Sequence, residues 1–103
     1  MVKMVALYRR PENPEAFMQH YREVHLPLAR CMPGLRKVEI NHFFQADGGE
    51  SDPFLMAEMY FDSRADMLAS MRSPEGKASG RDLQTFAGAL VKVYFADVET
   101  EES

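Results

Sequence analysis

The stretch that most constrains this chain is Tyr21-Arg22-Glu23-Val24-His25-Leu26-Pro27-Leu28, where a proline falls inside a helical pattern. Phe17, Tyr21, Val24 and Leu28 recur at helical spacing and so share one apolar face. His25 follows Tyr21 by four residues and falls on the margin of that face, about 40° further round. Pro27 has no N–H for the carbonyl of Glu23, and its ring disfavours helical geometry at Leu26. The pattern therefore predicts a kink or break beside the histidine, with a free carbonyl near an imidazole. Such a break opens a small cleft in a packed helix.

The rest of the chain alternates between strand and helix patterns. Residues 2–8 read as a strand covered on both sides, with Met4, Ala6 and Tyr8 opposing Val5 and Leu7. Asn13-Pro14 supplies a cap and a proline at the first helical position, opening a helix predicted over 14–32, kinked near Pro27 and stopped by Pro33-Gly34. A second strand is expected over 35–45 and a third over 54–61, joined by a polar loop whose Gly48-Gly49 permits a hairpin. Ser63-Arg64-Ala65-Asp66 resembles a capping box for a short helix burying Met67, Leu68 and Met71. Ser73-Pro74 opens another helix with Leu83, Phe86 and Ala87 inward; Gly76 and Gly80 weaken its first half and Gly88 ends it. The last strand covers 90–98.

The order β-α-β-β-α-β over 1–103 describes a single α+β domain. It fits a ferredoxin-like protomer, with an antiparallel four-stranded sheet and helices on one face. Every strand nevertheless carries apolar residues on both sides. A second copy covering the open face resolves this, so a twofold homodimer through the sheet face is expected.

Composition excludes some partners. With net charge −4 and 12 scattered basic residues, the chain has no electrostatic footprint for nucleic acid. No apolar run approaches the ~20 residues of a membrane span. The first ten residues lack the basic-then-apolar order of a signal peptide, and Cys31 is alone, so a cytoplasmic location is the default. The three histidines are too dispersed for local metal-ligand spacing, and phosphate loops and nucleophile elbows are missing, so neither a metal nor another cofactor is expected.

His25 has two readings: it hydrogen-bonds the carbonyl freed by Pro27, or it works as a general acid/base near neutral pH. Tyr21 is a core residue, a hydrogen-bond neighbour of His25, or a donor to a developing oxyanion. His20 falls on the opposite margin of the helix and reads as solvated. Glu58, between Met56 and Tyr60, is either ion-paired across the dimer or a pocket acid with a raised pKa. Phe17, Leu28, His42, Glu58 and Tyr60 complete the candidate substrate contacts, His42 having a structural or interface reading as well. Eight methionines and seven phenylalanines line a pliable apolar pocket or fill the core.

Several of these pieces occur in an order that resembles the EthD (ethyl tert-butyl ether degradation) family, within the dimeric α/β-barrel superfamily. They are a first strand ending in Arg9-Arg10, then Phe17, Tyr21 and His25-Leu26-Pro27-Leu28, then Pro33-Gly34-Leu35. Ala57-Glu58-Met59-Tyr60-Phe61-Asp62-Ser63 and Ser73-Pro74-Glu75-Gly76 extend the likeness, which spans about residues 3–98. Arg22 departs from it, standing where the family carries a bulky aromatic. The resemblance implies a dimer whose two sheets form a barrel, and a cavity between helix and sheet into which His25 projects. Relatives across the superfamily include cofactor-free monooxygenases, lactone isomerases, polyketide cyclases and decarboxylases, and haem-degrading proteins, so fold alone does not select the chemistry. The expected function is a cofactor-independent enzyme, an isomerase, cyclase, decarboxylase or monooxygenase, doing acid/base or oxygenation chemistry on a small, apolar, oxygenated compound, with His25 moving a proton beside a carbonyl and Tyr21 orienting it or stabilising the enolate. The alternatives are a non-catalytic binding or accessory protein of a catabolic pathway, and a haem protein with His25 as axial ligand.

Overall fold

The computed structural model describes residues 1–102. Strands β1 (Val2–Tyr8), β2 (Lys37–His42), β3 (Leu55–Phe61) and β4 (Val91–Asp97) form one antiparallel sheet in the order β2-β3-β1-β4. Between β1 and β2 run α1 (Pro14–His20), a π-helical turn (Tyr21–His25) and α2 (Leu26–Arg30); between β3 and β4 run α3 (Arg64–Arg72) and α4 (Pro74–Ala87). This is the ferredoxin-like arrangement, with the helices on one face.

Register decides which side chains meet those helices. Met4 stands opposite Met59 and Phe95, and Tyr8 opposite Leu55 and Val91, so alternate residues of the four strands share the helix-facing side. One core cluster joins Tyr8, Leu55 and Ala57 of the sheet to Phe17, Tyr21, Leu26 and Ala87 of the helices. A second joins Val2 and Phe61 to Met32 and Met67. β4 lies at the edge, and its Val93 and Phe95 remain exposed although they face the helix side.

The helix ends follow the sequence closely. Asn13 Oδ1 accepts from the amide of Ala16, Ser63 Oγ from Asp66 and Ser73 Oγ from Gly76, each satisfying an otherwise orphaned N–H. Gly76 does more than weaken α4. A Cβ there would lie 2.1 Å from the carbonyl oxygen of Ser70, so its hydrogen lets α4 approach the end of α3.

Of the kink or break predicted near Pro27, the break is not found. Leu26 keeps right-handed helical angles, and its N–H reaches back five residues to the carbonyl of Tyr21. The wider turn absorbs the proline instead of interrupting the helix. Phase changes with it: Val24, expected on the buried stripe, is 42 % exposed, and Leu28 is only half-buried. Leu68 of α3, expected inward, is exposed as well.

The other face of the sheet carries Val5, Leu7, Met56 and Tyr94 together with a polar network. Glu58 pairs with Lys3 and accepts from Asn41 Nδ2 at 2.8 Å, while the Tyr60 hydroxyl donates to Glu39 at 2.6 Å. The hydrogen bond from Lys3 holds the Glu58 carboxyl below the usual carboxylate range. Glu58 is thus an ion-paired residue of its own chain, and the reading of a pocket acid with a raised pKa is corrected. No described helix is long and apolar enough to cross a membrane.

Candidate functional site

A cavity of about 280 Å³ lies between the helices and the sheet. Tyr8, Tyr21 and His25 line one end; Met4, Met32, Met59 and Met71 line the other. Met4 and Tyr8 are four residues, roughly 13 Å, apart on β1, so lining residues are spread along that strand. Gly80 and Lys77 of α4 and Val93 of β4 are exposed residues of the lining and mark its mouth. A Cβ on Gly80 would meet nothing within 4 Å.

His25 is 6 % exposed, and its Nδ1 lies 2.9 Å from Oδ2 of Asp82 on α4. The same carboxylate meets Nε2 of His20, at 2.9 Å through Oδ1 and 3.2 Å through Oδ2. On a regular helix, residues five apart diverge by about 140°. The π turn closes on the fifth residue, so it swings His20 and His25 onto one side, facing one carboxylate. Phe86, one turn after Asp82, packs against both rings, with centroids 4.6 Å from His20 and 5.0 Å from His25. His20 is therefore hydrogen-bonded to Asp82 and not the solvated residue expected. His25 bonds a carboxylate, not a backbone carbonyl freed by Pro27.

Burial pulls the His25 pKa below its ordinary value, although the hydrogen bond and charge of Asp82 oppose the shift. The ring is neutral at pH 7. With its Nδ1–H given to Asp82, Nε2 keeps the lone pair, and among the described residues nothing bonds it. Burial pushes the Tyr21 phenol up to about 12. It raises Tyr8 further, helped by Tyr21 and Asp82 beside it. Both hydroxyls stay protonated and are donors. The polar end of the cavity thus combines a neutral base with two O–H groups, in apolar surroundings where their interactions are strengthened.

Of the residues singled out from sequence, the structure brings His25 and Tyr21 together, with ring centroids 5.7 Å apart and no hydrogen bond between them. Phe17 sits behind them in the core, edge-on to Tyr8 at 5.4 Å. Leu28 does not line the cavity, and His42 is exposed at the end of β2. Glu58 and Tyr60 lie on the opposite face of the sheet. Tyr8 and Asp82 were not among the candidates. Tyr8 shared the apolar face of Met4 and Ala6, which was a usable signal. Asp82 left a fainter one, a lone acid on the inward stripe of Ser79, Leu83 and Phe86.

Among the described residues no group of three or more His, Cys, Asp or Glu side chains is placed to hold a metal ion. At about 280 Å³ the cavity lies just under the ~300–1,000 Å³ of sites for drug-sized ligands, a size that suits a small molecule.

Comparison with known proteins places the chain among small proteins of similar length. The description "EthD domain" matches residues 9–90. An uncharacterized 11.0 kDa protein in the thcB-thcC intergenic region of Rhodococcus erythropolis is 31% identical over 100 residues, covering 97% of each chain. The crystal structure of an ethyl tert-butyl ether degradation (EthD) family protein from Bacillus halodurans superposes with a TM-score of 0.91 at 42% identity, over 96% of this chain and 99% of that one. SnoaB, described as a cofactor-independent oxygenase from Streptomyces nogalater, shares the fold with a TM-score of 0.67 at 13% identity, over 97% and 94% of the two chains.

Proposed function

This chain belongs to the EthD family, and from that premise we propose that it is a cofactor-independent enzyme removing a proton from the carbon beside a carbonyl. The observation that carries the reading is the neutral His25, held through Nδ1 by Asp82 at the end of an apolar cavity. A small, largely apolar carbonyl compound enters between α4 and β4, with its oxygen toward Tyr8 and Tyr21. Nε2 of His25 takes the α-proton, and the electrons of the C–H bond pass to the carbonyl oxygen as an enolate. A tyrosine hydroxyl donates to that oxygen, and Asp82 stabilises the imidazolium. Return of the proton to a different atom completes an isomerisation. SnoaB supports the premise that this fold works without a cofactor, though it shares only 13% identity.

Deuterium exchange is the test. 4-Phenyl-2-butanone in deuterated buffer at pH 7 should exchange its α-hydrogens faster with the protein than with buffer, and the excess should vanish in His25→Ala. A ketone that binds with unchanged exchange would favour the non-catalytic binding or accessory reading. A ketone that neither binds nor exchanges would defeat both.

We further infer that two copies pack sheet face against sheet face. Val5, Leu7, Met56 and Tyr94 give that face its apolar area. Lys3, Lys37 and Lys92 beside Glu39 and Glu58 make it self-complementary under a twofold axis.

A further inference from the structure

We propose that His20 is a positioning residue: it fastens Asp82 so that the carboxylate keeps the proton of His25 on Nδ1. The proposal rests on reading His25 as the base. Asp82 is 13 % exposed in its side chain, and a carboxylate so placed needs donors from the protein. Among the described residues the only side chains bonding it are the two imidazoles. His25 supplies one N–H, to Oδ2 alone. His20 spans both oxygens, which stops the carboxylate turning about its last bond.

The two histidines are not equivalent. The His25 side chain is 8 % exposed and the His20 side chain 35 %, so one faces the cavity and the other lies toward solvent. Phe86 between them fixes their planes. Without the outer N–H, Oδ1 of Asp82 would turn to water and draw Oδ2 off Nδ1. The proton of a neutral His25 would then divide between its two nitrogens, and the cavity-facing lone pair would be lost for part of the time.

Nitrogen-15 spectra of the labelled imidazoles, recorded on the full chain at pH 7 without substrate, read this directly. Wild-type His25 should show a proton-bearing Nδ1 and a bare Nε2. In His20→Phe the packing on Phe86 is kept and the donor removed, and the bias between the two forms should fall by about ten-fold. In His20→Gln the side-chain amide returns an N–H at the same reach, and the bias should return. A wild-type pattern in His20→Phe, or a failure of His20→Gln to restore it, overturns the proposal. Absent ketone exchange with an intact bias would overturn the base reading alone.

Discussion

Oδ2 of Asp82 and Nδ1 of His25 lie 2.9 Å apart, joining the middle of one helical segment to the inner face of another. The contact matters because it decides which nitrogen of a buried ring is basic. Asp82→Asn keeps the size and removes the charge that stabilises the imidazolium. Ketone exchange should drop by about 10²-fold while the circular dichroism spectrum stays unchanged. Tyr8→Phe and Tyr21→Phe each remove one donor, and the one that bonds the enolate should lose about 10²-fold while the other loses little.

Stability should fall on mild acidification. The His25 pKa is lower in the folded chain than in the unfolded one, so the unfolded state binds more protons once pH drops below the ordinary histidine value near 6.5. Unfolding free energy therefore declines from about pH 6.5 downward, until the folded-state pKa is passed. Urea melts at pH 7.5 and pH 5.5 should show this decline in the wild type and less of it in His25→Gln. Equal declines in the two would mean that His25 is not held neutral.

Two glycines of α4 should respond in opposite directions to the same substitution. Gly76→Ala drives a methyl into the Ser70 carbonyl and should cost about 2–3 kcal/mol. Gly80→Ala meets open space and should stabilise by about 0.5–1 kcal/mol through helix propensity. Thermal melts of the two variants check both signs. Gly80→Leu should additionally narrow the cavity mouth and slow ketone exchange.

The open sheet face gives a test of assembly. Leu7→Glu places a charge among Val5, Met56 and Tyr94, and should convert a dimer to a monomer in sedimentation at micromolar concentration. A monomeric wild type would remove the inference.

The sequence carried most of the fold because its signals were local. Asn13-Pro14, Ser63 and Ser73-Pro74 mark helix starts by chemistry that needs no tertiary partner, and the strand alternation fixed which faces β1 and β3 present. The site was legible only in part. Pro27 announced a disturbance, but a proline does not say whether a helix breaks or widens, and that choice moved Val24 outward and His20 inward. Asp82 escaped notice because its partners lie 57 and 62 residues away, and no local spacing brings them together. Glu58 was misread in one respect for the same reason: its cation, Lys3, sits on a neighbouring strand.

The five-residue turn at Tyr21–His25 has a consequence beyond its own hydrogen bond. It makes the alignment of two rings depend on how many residues are counted between them, and not on which residues those are. Wound as an ordinary helix, the same residues would set the two rings about 140° apart around the axis. Every atom that recognises Asp82 would survive in the chain, yet the two imidazoles could no longer meet at it.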